Sequence, residues 1–277
     1  MVSKYYSLAG LILRVDSETP IENSDRFEEF YAPQGSADIT VTVVNGKLPQ
    51  KSGEPLYKSL GRETYSENGC IKLYSSYYRP DYWTDYACRE TVDGRVTLCI
   101  DYEQGLWDSM LFNALNIPGI LAQKGVFLLH SSFVIHNGEA LIFSGEKGAG
   151  KSTQAALWNS RFGDVIVNGD RSLLKFENSV LTAYGTPYCG SSRIALNKNA
   201  PVRAIVMLDK GDENIIEKLS GIEAFGKISA QLSYEKNQTG ILSDFVSRIC
   251  GQTDIYNMKC LPDISAVTAL EEILWQV

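Results

Sequence analysis

The sequence predicts a mixed α+β protein with a small, mostly β part in front, and three observations carry that prediction. Eleven of the fifteen tyrosines fall before residue 103, in short segments separated by turn-rich stretches, which is how packed strands read. From residue 105 the apolar residues change to helical spacing and then back to strand spacing. A glycine-rich stretch at 145–152 joins a strand-like run to a helix-like one. At 277 residues the chain exceeds the usual single domain, so it divides by composition into 1–104 and 105–277.

In chain order, strands are predicted over 39–44, 70–74 and 96–102. The cluster Tyr74, Tyr77, Tyr78, Tyr82, Trp83 and Tyr86 reads as an amphipathic surface loop packed on the sheet, with stacking on a peptide or base as the functional alternative. Over 105–124, Trp107, Met110, Leu111, Leu115 and Leu121 follow helical spacing, and Pro118 ends or kinks the run. Two strands, 126–135 and 139–143, flank Asn137-Gly138, a strong two-residue hairpin signal. A helix over 153–159 follows the glycine-rich stretch, then a strand at 165–167, a hairpin from 173–176 and 180–183, and a buried strand at 202–208. Helices over 222–231 and 241–250, a strand at 255–259 and a closing helix over 263–275 complete the chain.

Bulk properties narrow the function. Hydrophobic content of 44% with 21% charged residues is that of a chain able to bury a large core. The formal charge of −7 gives no general attraction for nucleic acid or anionic lipid. The longest apolar stretch, 106–121, is interrupted by Asp108, Asn113, Asn116 and Pro118, so it reads as a buried helix and not a membrane span. The run 8–13 is too short for a signal-peptide core. Six cysteines lie far apart without a Cys-x-x-Cys pair, which argues against structural zinc and for reduced thiols in a cytoplasm. The expected protein is cytoplasmic, without nucleic-acid or membrane partners, and self-association stays open.

Gly145, Glu146, Lys147, Gly148, Ala149, Gly150, Lys151 and Ser152 satisfy the Walker A pattern between a strand and a helix, with Thr153 next in the helix. Glycines let consecutive N–H groups turn inward on phosphates, and the helix N-terminus presents its free amides and dipole to the same charge. Lys151 would bridge the β- and γ-phosphates and Ser152 would ligate Mg²⁺, so ATP with Mg²⁺ is the expected ligand pair. The metal also needs an acid. Asp170 and Asp209 both follow hydrophobic strands, and Asp209 looks more like a conventional Walker B aspartate. Of the two histidines, His136 beside the Asn-Gly turn is expected to be exposed, whereas His130 is returned by the hairpin to the edge bearing the loop.

These residues resemble the catalytic domain of HPr kinase/phosphorylase and its smaller relatives, some of which phosphorylate peptides or free serine. The resemblance rests on Leu129-His130-Ser131-Ser132, the hairpin, the loop at 145–152, Asn168-Gly169-Asp170-Arg171 and, more weakly, Tyr184-Gly185-Thr186-Pro187 on to Arg193. It covers about 105–277 and implies a P-loop core like that of this family and of phosphoenolpyruvate carboxykinases; if the chain is a kinase, the small β part before that core would select the acceptor. It also implies catalytic roles for His130, Asp170 and Arg193 and a metal held by Ser152 and Asp170, which reverses the preference for Asp209. The first aspartate of the family's Asp-Asp pair aligns with Gly169. The resemblance therefore leaves two readings: a kinase acting on a serine hydroxyl of a peptide, a small protein or serine itself, or a nucleotide-binding regulatory protein with reduced or lost transfer.

Overall fold

The computed structural model describes residues 1–101 and 105–275. It is a mixed α+β structure whose chain divides into two compact units, Met1–Ile117 and Pro118–Val277.

The first unit contains β1 (Val2–Leu8), β2 (Leu11–Ser17), β3 (Ile21–Glu22), β4 (Ile39–Asn45), β5 (Tyr57–Ser59), β6 (Arg62–Glu67), β7 (Cys70–Arg79), β8 (Tyr82–Val92), β9 (Arg95–Ile100), β10 (Leu106–Trp107) and α1 (Asp108–Leu115). Eight of the strands form one sheet in the order β1-β2-β4-β9-β8-β7-β6-β5, parallel at β2–β4 and β4–β9 and antiparallel elsewhere. Of the strand expected over 96–102, Asp101 lies beyond the end of β9, and Tyr102 falls outside the described residues. The aromatic cluster is not a loop. It forms the paired strands β7 and β8, in which Tyr74 and Tyr86 are buried while Tyr78, Tyr82 and Trp83 stay exposed.

The expected helix over 105–124 is broken one residue earlier than its proline suggested. Asn116, in left-handed conformation at φ 50°, caps α1, and Pro118 sits in the first turn of α2 (Ile117–Ala122), where its missing N–H costs nothing. Asp108, an interruption in the apolar run, proves to be a fully buried anchor. Its carboxylate accepts bonds from Lys4 Nζ and Tyr6 OH at 2.6 Å, Tyr31 OH at 2.5 Å and the Ser24 N–H at 2.9 Å. A buried carboxylate is tolerable only when paired and hydrogen-bonded in this way.

The second unit contains β11 (Val126–His136), β12 (Glu139–Ser144), α3 (Lys151–Phe162), β13 (Val165–Asn168), β14 (Arg171–Glu177), β15 (Val180–Tyr184), β16 (Asn199–Lys210), β17 (Ile215–Leu219), α4 (Gly221–Gln231), β18 (Leu232–Ser233), α5 (Thr239–Gln252), β19 (Asp254–Cys260) and α6 (Ile264–Trp275). Its sheet follows the order β12-β11-β14-β15-β16-β19-β17, and an additional parallel pairing of β12 with β16 closes part of that path on itself. The long strand β11 belongs to both halves. Residues up to His130 pair with β14, and residues from Ser131 pair with β12 and, further on, β13. One apolar core packs the sheet against α4 and α5, and another packs it against α3 and α6. Among the described residues no helix is long and apolar enough to cross a membrane.

Candidate functional site

The Asn137-Gly138 turn sets the geometry of the site. With φ of 50° and 81° the two residues form the tight turn that suits right-twisted strands, and the resulting register pairs Ser131 with Ser144. His130 thus lies beside the point where β12 ends and the glycine-rich loop begins, and Ser144 Oγ donates to His130 O at 2.8 Å. His130 is also the residue at which β11 passes from β14 to β12, paired with Arg171 on the outgoing side.

The loop at 145–152 turns on Gly145, Gly148 and Gly150, whose φ values are 135°, 85° and 104°. At 145 only glycine fits, because a β-carbon there would lie 2.7 Å from Leu208 O on β16. At 148 and 150 a β-carbon would meet nothing within 4 Å, so the loop faces open space there. Glu146, Lys147, Ser152 and Thr153 are exposed, Ala149 is half-buried, and Lys151 is buried at the first position of α3. Lys151 Nζ donates to Gly145 O at 2.8 Å and Glu146 O at 3.0 Å. Both acceptors are neutral carbonyls, which orient the ammonium without neutralising it. Burial pushes the Lys151 pKa down, opposed by the charges of Asp170 and Glu146.

A second loop closes on the first. Asn168, fully buried at the end of β13, accepts the N–H groups of Asp170 and Arg171 at 2.9 Å through Oδ1, a local turn held by its own side chain. Its amide donates to Thr186 O at 2.8 Å and Tyr188 O at 2.9 Å. The carbonyl of Gly169 accepts from Ser152 Oγ at 3.1 Å and Ser132 Oγ at 3.0 Å, which ties the start of α3 to this turn. Asp170 Oδ1 then lies 3.7 Å from His130 Nε2, and Arg171 Nε reaches Asp170 Oδ2 at 3.1 Å. Burial first, and the Lys151 charge second, push the His130 pKa below its ordinary value, with Asp170 opposing. Gln231 bonds His130 and also reaches Glu146 Oε1 at 3.4 Å.

The structure brings His130, Lys151, Ser152 and Asp170 together. Arg193 follows a short helical turn at Gly190–Ser192, exposed and with φ 57°, so its backbone and not its side chain is what the fold constrains. Asp209 lies 3.6 Å from Lys227 and lines a cavity of about 240 Å³ together with Gly145, Glu146 and Gln231, on the β16 side of the loop. His136 is not exposed. It is buried with Nδ1 2.7 Å from Asp164 Oδ2 and rings of Trp158, Phe162 and Trp275 around it. The stretch 184–193 is pinned to β13 by the Asn168 bonds, and just after it Leu196 N–H donates to Val167 O at 3.0 Å. Sequence reading passed over Asn168 as an organising residue, although an Asn before Gly-Asp is a turn signal in itself. It also missed Gln231, which no local pattern marks.

No family model and no curated protein matches this chain. Among solved structures it is distantly similar to the HPr(Ser) kinase/phosphatase from Coxiella burnetii, at a TM-score of 0.31 and 16% identity over 53% of this chain and 92% of that one.

The residues present fit a triphosphate and a hard cation. The loop offers an open, glycine-lined turn, a buried ammonium whose charge is not cancelled, and the N-terminus of a twelve-residue helix. Ser152 Oγ uses its hydrogen on Gly169 O and keeps its lone pairs, with the Asp170 carboxylate on the adjoining residue. A few oxygens of this kind, completed by phosphate and water, are what Mg²⁺ takes.

Proposed function

We propose that the chain is an ATP- and Mg²⁺-dependent kinase that transfers the γ-phosphate to a serine hydroxyl of a peptide, a small protein or free serine. The observation that carries this reading is the joining of the two loops through Gly169 O, which sets Ser152, Lys151, His130 and Asp170 around one open turn. Lys151 and the amides of the loop and of the start of α3 hold the triphosphate, with Glu146, Lys147 and Thr153 around it. Ser152 and Asp170 hold the metal, which when bound neutralises charge on the transferring group. His130, kept neutral by burial and by Lys151, orients the acceptor and can take up its proton, with Asp170 beside it. Arg193 is the candidate for stabilising charge at the transferring phosphate once its side chain is drawn in. The first unit selects the acceptor.

The missing acid at 169 favours a second reading, nucleotide binding with weak or lost transfer. Phosphoryl transfer depends mainly on positioning and electrostatic stabilisation, so one absent carboxylate does not decide between them. Calorimetry with ATP and Mg²⁺, followed by γ-phosphate transfer to a library of serine peptides and amino acids, separates them. Binding with transfer supports the kinase; binding without transfer leaves the regulatory reading; absence of binding removes both.

A further inference from the structure

Gly169 is buried, and the space next to it is already taken. A β-carbon on residue 169 would lie 2.5 Å from Oγ and 2.7 Å from Cβ of Ser192. Ser192 therefore occupies the volume that any side chain at 169 would need. The segment that carries it is held at both ends: Gly185 N–H donates to Lys198 O at 2.9 Å, and Ala195 bridges Asn168. Gly190, two residues before, rests on the acid itself, since a β-carbon there would lie 2.9 Å from Cβ and Cγ of Asp170. On its other side the same Gly169 peptide accepts Ser152 Oγ through its carbonyl. One peptide unit thus gathers the hydroxyl of Ser192, the carboxylate of Asp170 and the first turn of α3. Ser192 is exposed; its Oγ donates to Cys189 O at 2.8 Å and accepts the Ile194 N–H at a long 3.4 Å, which leaves one of its two lone pairs for a new bond.

We propose that Ser192 is a phosphorylation site served in cis, the first hydroxyl the site modifies. The proposal rests on the kinase reading above. In the step, Ser192 Oγ bonds to the γ-phosphorus as the bond from that phosphorus to the β–γ bridging oxygen breaks. The hydroxyl proton is released to water, and the nucleoside diphosphate leaves with the electron pair on its terminal oxygen.

The test uses the full chain with Mg²⁺ and γ-labelled ATP, with peptide mapping by mass spectrometry and nucleotide binding measured on the same preparation. The expected result is one phosphate on Ser192, formed at a first-order rate independent of protein concentration. Ser192→Ala removes the label, and Ser191→Ala, one residue away on the same exposed turn, retains it. Nucleotide binding without label on Ser192, label that persists in Ser192→Ala, or a rate rising with protein concentration overturns the proposal while leaving the nucleotide site standing. No nucleotide binding overturns the kinase reading and this proposal with it.

Discussion

Lys151 is the residue whose removal separates the proposed reading from a merely structural loop. Its ammonium is buried and bonded to carbonyls of Gly145 and Glu146, bonds that brace the turn. Hydrogen bonds to charged groups contribute about 1.5–3 kcal/mol. Lys151→Ala is therefore expected to weaken ATP binding roughly ten- to a hundredfold, at about 1.4 kcal/mol per tenfold. An unchanged Kd by calorimetry rules out Lys151 as a phosphate ligand. His130 gives a pH signature with a definite sign. Because its folded pKa is depressed, the neutral ring persists as pH falls past the usual histidine value of about 6.5, and the proton is taken up only below it. The acid limb of kcat/KM, which reports the free enzyme, should accordingly fall below that value, and His130→Asn should abolish the limb. The unfolded chain binds that proton first, so the contribution of His130 to stability also declines as pH drops through about 6.5. A rate profile flat across this range would remove His130 from the reaction.

Elements show where sequence was sufficient and where it was not. The Asn137-Gly138 turn was enough to fix the register of β11 on β12, and hence to place His130 next to the loop, because a two-residue hairpin leaves no freedom in pairing. The β1–β2 hairpin went unread: its turn uses Ala9 and Gly10 with φ of 50° and 74°, and alanine is not a residue that signals a left-handed turn. The strand β17 was missed for a related reason, since Glu217 and Lys218 interrupt its apolar rhythm and it is held by pairing with β19. The burial of His136 could not be read locally, because its neighbours Trp158 and Trp275 come from helices distant in sequence. Gly169 belongs to this scale too, since its constraint comes from the turn at Gly190–Ser192 packed on it. Gly169→Asp should destabilise the fold by about 1–3 kcal/mol through overpacking. Adding Ser192→Gly should recover part of that loss, and chemical denaturation of the two single variants and the double variant measures the coupling. Additive losses would mean that the two positions do not share the volume the geometry assigns them.

At the scale of the whole molecule, the division into Met1–Ile117 and Pro118–Val277 puts every proposed nucleotide contact in the second unit. That unit carries its own apolar cores on both sides of its sheet, built from residues between Ala122 and Leu274. The first unit has a separate anchor in the buried Asp108 and its tyrosine and lysine donors, and its exposed Tyr78, Tyr82 and Trp83 lie on paired strands that hold them in a fixed register. Rigid aromatic side chains are the kind of group that contacts a peptide at low entropic cost. If the two units divide the work as proposed, binding and acceptor choice should come apart under truncation. A fragment of residues 118–277 that retains the circular dichroism of folded α+β structure should bind ATP with the affinity of the full chain, while its transfer to a peptide acceptor falls, chiefly through a raised KM for the peptide. Tyr82→Ala and Trp83→Ala in the full chain should shift the same KM without changing the Kd for ATP, because both side chains lie on the surface of the first unit. A folded fragment that fails to bind nucleotide, or one that phosphorylates the peptide as well as the full chain does, would show that the first unit is not the acceptor-selecting part.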